Sequence, residues 1–327
     1  MLDPHVEQVL RLTARAEAQA IERGRIAHYW QMPVEQARIA YAKAAPILDI
    51  APRQVHACEN FNITRPDGSS LPARFYWPYE PGADDPMPAL VFFHGGGFTV
   101  GSMDTHDAIT RMFCMEVPCA VLSVDYRLAP EHPFPAAYED AWLAVQWILQ
   151  QAEALHIAPK KIALGGDSAG GTLAAACSIA AAKAGLPISM QLLIYPGTCV
   201  HQDTGSHLKY AQGYLLTRDT ILWFFRQYLL QEHYRSDWRF APLEWAQQVS
   251  STQDLAPAWV AVAEYDPLVD EGIAYAKCLQ SKGTLVELKI YQGMIHAFFN
   301  MGGFVKAARQ AHQDAVNALQ HVWELKA

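Results

Sequence analysis

A serine between two glycines is the clearest indication of chemistry in this chain of 327 residues. Residues 166–170 read Gly-Asp-Ser-Ala-Gly and match G-x-S-x-G, which places a serine nucleophile on a sharp turn between a strand and a helix. An apolar strand beginning at Lys161 precedes the pattern, and an alanine-rich helix follows it. The segment lacks the G-K-[ST] and G-x-G-x-x-G patterns of phosphate-binding turns. Ser168 is therefore the candidate nucleophile.

A serine needs a base to take its proton, and the base needs an orienting carboxylate. On a parallel sheet the carboxylate and then the histidine follow the serine in chain order, each after a later strand. Asp266 comes directly after the apolar stretch 258–263 and is the candidate acid. Its rivals are Glu264, Asp270 and Glu271, of which the last two are interpreted as first-turn residues that favour a helix dipole.

Among thirteen histidines, His296 stands out because it follows the last strand, after a glycine, in a loop able to reach the serine turn. It is the candidate general base. Asp266 would accept its Nδ1 proton, which leaves Nε2 free to deprotonate Ser168 and later to protonate the leaving group.

Three consecutive glycines follow His94 and indicate a loop whose backbone N–H groups are uncovered. In esterases such a loop supplies oxyanion donors, together with the N–H of the residue after the nucleophile, here Ala169. We interpret His94 as a residue that holds this loop by a hydrogen bond, rather than as a catalytic residue.

These residues require a sheet that brings distant segments together. Short apolar strands separated by helical segments predict a parallel sheet covered by helices on both faces. The strands begin at Ala89, Ala120, Lys161, Met190 and Ala258. A β-hairpin turning at residues 65–69 is predicted before them, and a last strand at 285–291 and an amphipathic helix at 304–325 are predicted after them.

The segment 200–245 interrupts this alternation, and 10 of its 46 residues are Phe, Trp or Tyr. Such density suits an apolar lid over a pocket. The alternative is an ordinary helical subdomain packed on the sheet, and both interpretations can hold together.

Composition restricts the partners. The formal net charge is −8 and the pI is near 5.9, so neither nucleic acid nor an anionic membrane is expected as a partner. No apolar run is long enough to span a bilayer, and the amino end does not resemble a secretory signal. The six cysteines are scattered without zinc-site spacing, which predicts free thiols in the cytoplasm and no metal.

Five motifs together resemble the hormone-sensitive-lipase-like family of α/β-hydrolases, in its bacterial carboxylesterase branch and its GDSAG subgroup. They are HGGGF at 94–98, DYRLAPEHPFPAA at 125–137, GDSAGG at 166–171, YDPLVDEG at 265–272 and IHAF at 295–298.

The resemblance implies an α/β-hydrolase fold with a mostly parallel eight-stranded sheet and a helical cap. The cap would comprise residues 1–50 and 200–245, and the catalytic core residues 51–199 and 246–327. It also implies that no cofactor is needed and that a homodimer forms through the last strand and helix.

For the site, the resemblance implies an oxyanion hole of Gly96, Gly97 and Ala169. It further implies a substrate pocket, whose acyl and alcohol sides are lined by Phe98, Tyr195, Leu216 and Phe224.

The sequence therefore predicts a serine carboxylesterase that hydrolyses short-chain acyl esters through an acyl-enzyme. An amidase, thioesterase or lactonase with the same triad is the alternative, because all pass through a similar oxyanion. A non-catalytic small-molecule receptor on the same fold is the other alternative, although such a receptor would be expected to lose the base at His296.

Overall fold

An eight-stranded β-sheet forms the centre of the computed structural model, which describes residues 1–325. The strand order is β1-β2-β4-β3-β5-β6-β7-β8. The first two strands form an antiparallel hairpin that joins β4 antiparallel, and all pairings from β4 to β8 are parallel. The strands are β1 (Ala57–Thr64), β2 (Ser70–Trp77), β3 (Met87–Phe93), β4 (Ala120–Val124), β5 (Ile157–Asp167), β6 (Met190–Ile194), β7 (Ala258–Tyr265) and β8 (Val286–Ile295).

Helices cover both faces of this sheet, and the predicted α/β-hydrolase architecture is confirmed. Within residues 1–325 the α-helices are α1 (Pro4–Glu22), α2 (Val34–Leu48), α3 (Asp107–Glu116), α4 (Ala136–Gln151), α5 (Ala169–Lys183), α6 (Gly205–Lys209), α7 (Arg218–Tyr228), α8 (Pro242–Gln248), α9 (Val269–Ser281) and α10 (Lys306–Val322). No helix of this described part combines the length and the apolar character that a membrane crossing requires.

The central strands are apolar because neither of their faces meets water. Every residue of β3, β4 and β6 is buried, as expected for parallel strands between two layers of helices. The strand before the serine is longer than the sequence predicts, since it already begins at Ile157. Residues 158–161 of this strand are partly or fully exposed, so the continuous buried run begins only at Ile162.

The amino-terminal helices and the segment 200–245 meet beside the loop that follows β3. Ala37 of α2, Val100 of the loop and Trp223 of α7 form one buried apolar cluster. Arg38 of α2 adds polar contacts, because its Nε donates to the carbonyl oxygen of Thr99 at 2.9 Å and its Nη2 to that of Ala129 at 2.9 Å. The segment 200–245 is helical, and its assignment with residues 1–50 to a cap stays a prediction.

Candidate active site

Ser168 lies on a strained turn between β5 and α5. Its backbone has φ +55° and ψ −119°, a region that residues with a side chain rarely adopt. The flanking glycines permit this turn, because a Cβ on Gly166 would lie 2.5 Å from the carbonyl oxygen of Phe93, and one on Gly170 would lie 1.9 Å from it. The turn leaves the serine side chain partly exposed beyond the carboxyl end of the strand.

A chain of two hydrogen bonds joins the three residues that the sequence singles out. Ser168 Oγ lies 3.0 Å from His296 Nε2, and His296 Nδ1 lies 2.7 Å from Asp266 Oδ2. Asp266 is fully buried, and its second carboxylate oxygen accepts a hydrogen bond from the backbone N–H of Leu268 at 2.9 Å. The carboxylate is thus fixed on one side and directed at the imidazole on the other.

The rival carboxylates have other partners. Glu264 Oε2 accepts a hydrogen bond from the Gly293 N–H at 2.8 Å, and Asp270 Oδ2 accepts one from the Ser206 N–H at 2.7 Å. Asp270 and Glu271 do stand in the first turn of α9, but their side chains turn to neighbouring backbone N–H groups. Among the four candidates, only Asp266 contacts His296.

The glycine loop after β3 faces the serine turn with uncovered N–H groups. Gly96 has φ +120° and Gly97 has φ +57°, a conformation that favours glycine. Within residues 1–325 the backbone N–H groups of Gly96, Gly97 and Ala169 donate to no protein acceptor. Unpaired donors beside a nucleophile are what an oxyanion hole requires.

Asp167, the residue before Ser168, connects this loop to the serine turn. Its Oδ1 accepts a hydrogen bond from the Gly95 N–H at 2.8 Å and lies 3.1 Å from His106 Nε2. Burial disfavours the charged forms of Asp167 and His106, whereas the attraction between the carboxylate and the imidazolium favours both charged forms. The His106 imidazolium lowers the pKa of Asp167 below its usual value, and the Asp167 carboxylate raises the pKa of His106.

His94 supports the same loop, as the sequence predicts. Its Nδ1 lies 2.8 Å from the carbonyl oxygen of Gly95, and its ring stacks on Tyr126 with centroids 4.2 Å apart. Burial lowers the pKa of His94 to about 3, so the ring is neutral and donates from Nδ1. The Tyr126 hydroxyl donates to the His94 carbonyl oxygen at 2.7 Å.

Of the predicted pocket residues outside the glycine loop, Phe224 of α7 lies against Gly97. Its partly exposed ring lies so close to Gly97 that a Cβ there would be 2.3 Å from Phe224 Cγ. Phe98 is buried and stacks on Tyr228 with centroids 4.1 Å apart. Tyr195 is also buried, with its ring centroid 4.7 Å from that of His296. Leu216 lies before α7 and is partly exposed.

Sequence reasoning missed the roles of Asp167 and His106. Asp167 occupies an unspecified position of the G-x-S-x-G pattern, and its position within the motif was the only available signal. His106 lies 61 residues earlier in a short 3₁₀ helix. Nothing in its local sequence distinguishes it from the other histidines.

Comparisons with known proteins find ester hydrolases among the relatives of this chain. A protein-family model described as alpha/beta hydrolase fold matches residues 90–300. The carboxylic ester hydrolase LipN of Mycobacterium tuberculosis is 42% identical over 275 residues, which are 82% of this chain and 71% of LipN. The ethyl acetate hydrolase of Pseudomonas putida is 35% identical over 302 residues, covering 91% of this chain and 93% of that protein.

A solved structure is similar along the whole chain. The ester hydrolase EH1AB1 from the metagenome of Lake Arreo, in complex with a derivative of bipyridine phosphonate, has a TM-score of 0.90 and 34% identity. The match covers 99% of this chain and all of the other.

Proposed function

Because the chain belongs to the hormone-sensitive-lipase-like family of α/β-hydrolases and is a carboxylic ester hydrolase, we propose that Ser168, His296 and Asp266 are its catalytic triad. The observation that carries this proposal is the unbroken line of hydrogen bonds from Ser168 Oγ to Asp266 Oδ2. At the Ser168 end of that line lie the backbone N–H groups of Gly96, Gly97 and Ala169, which have no acceptor within residues 1–325.

In the proposed mechanism, Ser168 Oγ attacks the ester carbonyl while His296 Nε2 takes its proton. The carbonyl oxygen becomes an oxyanion held by the N–H groups of Gly96, Gly97 and Ala169. As the intermediate collapses, the imidazolium returns the proton to the alcohol, which leaves an acyl group on Ser168. Water then attacks the acyl group, its proton passes to His296, and the free acid departs as Ser168 regains a proton.

We assign the substrates to short-chain acyl esters. Phe224 lies over Gly97, and an aromatic ring at that position shortens the space beside the oxyanion hole. One relative is named an ethyl acetate hydrolase, and the acetyl group of that ester has two carbons. The test is a rate profile on aryl esters of increasing acyl length, beside an anilide and a lactone. A fall in kcat/KM with length is expected, whereas a preference for the anilide or the lactone would contradict the assignment.

The nucleophile is tested by covalent labelling with an organophosphonate and intact mass spectrometry. Wild type should gain one adduct, and Ser168→Ala should gain none while keeping its fold. Ser178→Ala is the matched control, because Ser178 is a buried serine of α5, the helix that follows Ser168, and its hydroxyl has no hydrogen-bond partner within residues 1–325. It should label like wild type. An adduct on Ser168→Ala would show another nucleophile.

A homodimer through β8 and α10 is part of the proposal. β8 is an edge strand that pairs only with β7 within residues 1–325, and Ile290 on it is 43% exposed. Sedimentation equilibrium should show a dimer that Ile290→Lys dissociates, while Ile47→Lys at another exposed position leaves it intact. A monomeric wild type would contradict the dimer.

A cytoplasmic location is also proposed. It is supported by the six cysteines, all of which are free thiols. Cell fractionation with a cytoplasmic marker enzyme should recover the protein with that marker, and recovery in the extracellular or periplasmic fraction would contradict the location.

A further inference from the structure

A cysteine, a histidine and a glutamate converge outside the catalytic centre. Cys199 follows β6, His207 lies in α6 and Glu271 stands in the first turn of α9. One side-chain sulfur, nitrogen or oxygen atom from each lies within 4.8 Å of the other two. His207 and Glu271 are almost fully buried, whereas Cys199 is partly exposed, so the group is open to solvent on the cysteine side.

The backbone already fixes Glu271 and leaves one of its oxygens for this group. Oε1 accepts hydrogen bonds from the backbone N–H groups of Thr198 and Cys199. Oε2 lies 2.9 Å from Cys199 Sγ and 3.2 Å from His207 Nε2. One carboxylate oxygen is therefore the meeting point of the thiol and the imidazole.

His207 supplies an independent observation. Its Nε2 is buried and makes no hydrogen bond within residues 1–325, although it lies close to Glu271 Oε2. Buried polar atoms without a partner are rare in folded proteins. Its other nitrogen, Nδ1, lies 2.7 Å from Thr204 Oγ1. A partner on Nδ1 that orients the ring is the usual arrangement for a histidine that binds a metal through Nε2.

We propose that Cys199 Sγ, His207 Nε2 and Glu271 Oε2 bind a Zn²⁺ ion whose fourth position is open to solvent. Zinc takes thiolate, imidazole and carboxylate ligands in tetrahedral geometry, at about 2.0–2.3 Å. At those bond lengths neighbouring ligand atoms are about 3.3–3.5 Å apart. The sulfur–oxygen separation is 2.9 Å and the nitrogen–oxygen separation is 3.2 Å, while the sulfur and the nitrogen lie within 4.8 Å of one another, so side-chain rotations bring the three atoms to these distances.

The charges also balance. Binding converts the Cys199 thiol to a thiolate and releases its proton to solvent. One thiolate and one carboxylate then neutralise the two positive charges of the ion, so no net charge is buried. The sulfur ligand favours zinc over magnesium or calcium, which bind through oxygen.

The ion would join three segments that are distant in the sequence. It would connect the loop after β6 and helix α6 to helix α9, which begins three residues after Asp266. None of the three ligands hydrogen-bonds to Ser168 or His296 within residues 1–325. The site is therefore structural, and ester hydrolysis does not pass through it.

The test uses the full-length protein without a histidine tag, freed of metal by a chelator. Titration with ZnCl₂ by calorimetry should show one ion per chain. Titration with CoCl₂ should produce a thiolate-to-cobalt charge-transfer band in the near ultraviolet. Cys199→Ser should abolish that band, and both Cys199→Ser and His207→Gln should weaken zinc binding by at least about tenfold.

Cys278→Ser is the matched control, because Cys278 is also a partly exposed free thiol but has no place in the group. It should bind zinc and give the cobalt band like wild type. The proposal is overturned if wild type takes up no stoichiometric zinc, or if the cobalt band is absent or survives Cys199→Ser. The wild-type cobalt spectrum decides the matter even where a variant folds poorly.

Discussion

Asp167→Asn tests whether the residue before Ser168 positions the glycine loop, whose N–H groups we propose as oxyanion donors. The carboxylate accepts from the Gly95 N–H at 2.8 Å and pairs with His106 at 3.1 Å. An asparagine keeps the size and one acceptor oxygen but removes the negative charge. A hydrogen bond to a charged group contributes about 1.5–3 kcal/mol, and losing one partner of a buried ion pair costs about 3–5 kcal/mol. We therefore expect the free energy of unfolding to fall by about 2–4 kcal/mol.

The effect on turnover follows from the same contact. Gly95 directly precedes the two glycines proposed as oxyanion donors, and a displacement of about 1 Å in a catalytic group costs about 100-fold in rate. Loss of one donor costs about 100- to 1,000-fold in kcat. Because the variant displaces donors without removing them, kcat should fall by about 10- to 100-fold, and KM should change little.

The assay measures kcat and KM on an aryl acetate, together with urea unfolding by circular dichroism. Asp140→Asn is the matched control. Asp140 is also a buried carboxylate, which pairs with Arg65 at 2.7 Å and with Arg127 at 3.0 Å, and within residues 1–325 it hydrogen-bonds to no residue of the glycine loop. It should lower stability by a similar amount and leave kcat unchanged. A wild-type kcat in Asp167→Asn, or an equal loss of kcat in Asp140→Asn, would refute the reasoning.

Three further predictions concern single side chains. Gly97→Ala should lower stability by about 1–3 kcal/mol in urea unfolding, because of its positive φ and its collision with Phe224. Phe224→Ala should shift the optimum of the aryl-ester profile to longer acyl chains, since it removes the ring that lies over Gly97 of the glycine loop. Burial raises the pKa of Asp49 to about 6 from 3.8, so its ionisation destabilises the folded state as pH rises. Asp49→Asn should therefore raise the free energy of unfolding by about 1–3 kcal/mol at pH 8 but change it little near pH 4.

Each of these predictions has a control. Adding Phe224→Ala to Gly97→Ala should recover the part of the lost unfolding free energy that comes from the collision between the new methyl group and the Phe224 ring. If nothing is recovered, backbone strain alone causes the loss of stability. Trp223→Phe changes a buried neighbour of Phe224 and should leave the acyl-length optimum in place. For Asp49, equal stabilisation at both pH values would contradict the sign of the pKa shift, because a carboxyl protonated at pH 4 carries no charge to remove.

The fold and the three central residues could be predicted because each has a strong local signal. Buried parallel strands appear as apolar runs, and the chain order of nucleophile, acid and base fixes which strand ends to inspect. Asp266 could be separated from Glu264 and Asp270 by its place after the strand. The structure gives a physical reason for that choice, since both rivals accept hydrogen bonds from backbone N–H groups elsewhere.

The contacts that depend on packing between distant segments could not be predicted. His106 and Asp167 are 61 residues apart, and Cys199 and Glu271 are 72 residues apart. Neither pair shows periodicity or a motif that connects its members. The burial of Tyr195 could not be predicted either, because an aromatic residue that follows a strand can line a site or pack beneath it. Whether Tyr195, Phe98 or Leu216 contacts a substrate stays a prediction.

The contact of Arg38 with the carbonyl oxygens of Thr99 and Ala129 has a consequence for protein engineering. Its guanidinium, from helix α2, connects the residue just after the glycine loop, Thr99, to the loop after β4, which contains Ala129. Helix α2 therefore holds the loop beside Ser168 in place, whether or not it also belongs to the predicted cap. Deleting the amino-terminal helices, or fusing a bulky tag that displaces them, should increase the mobility of the glycine loop and slow ester hydrolysis, although Ser168, Asp266 and His296 are all retained.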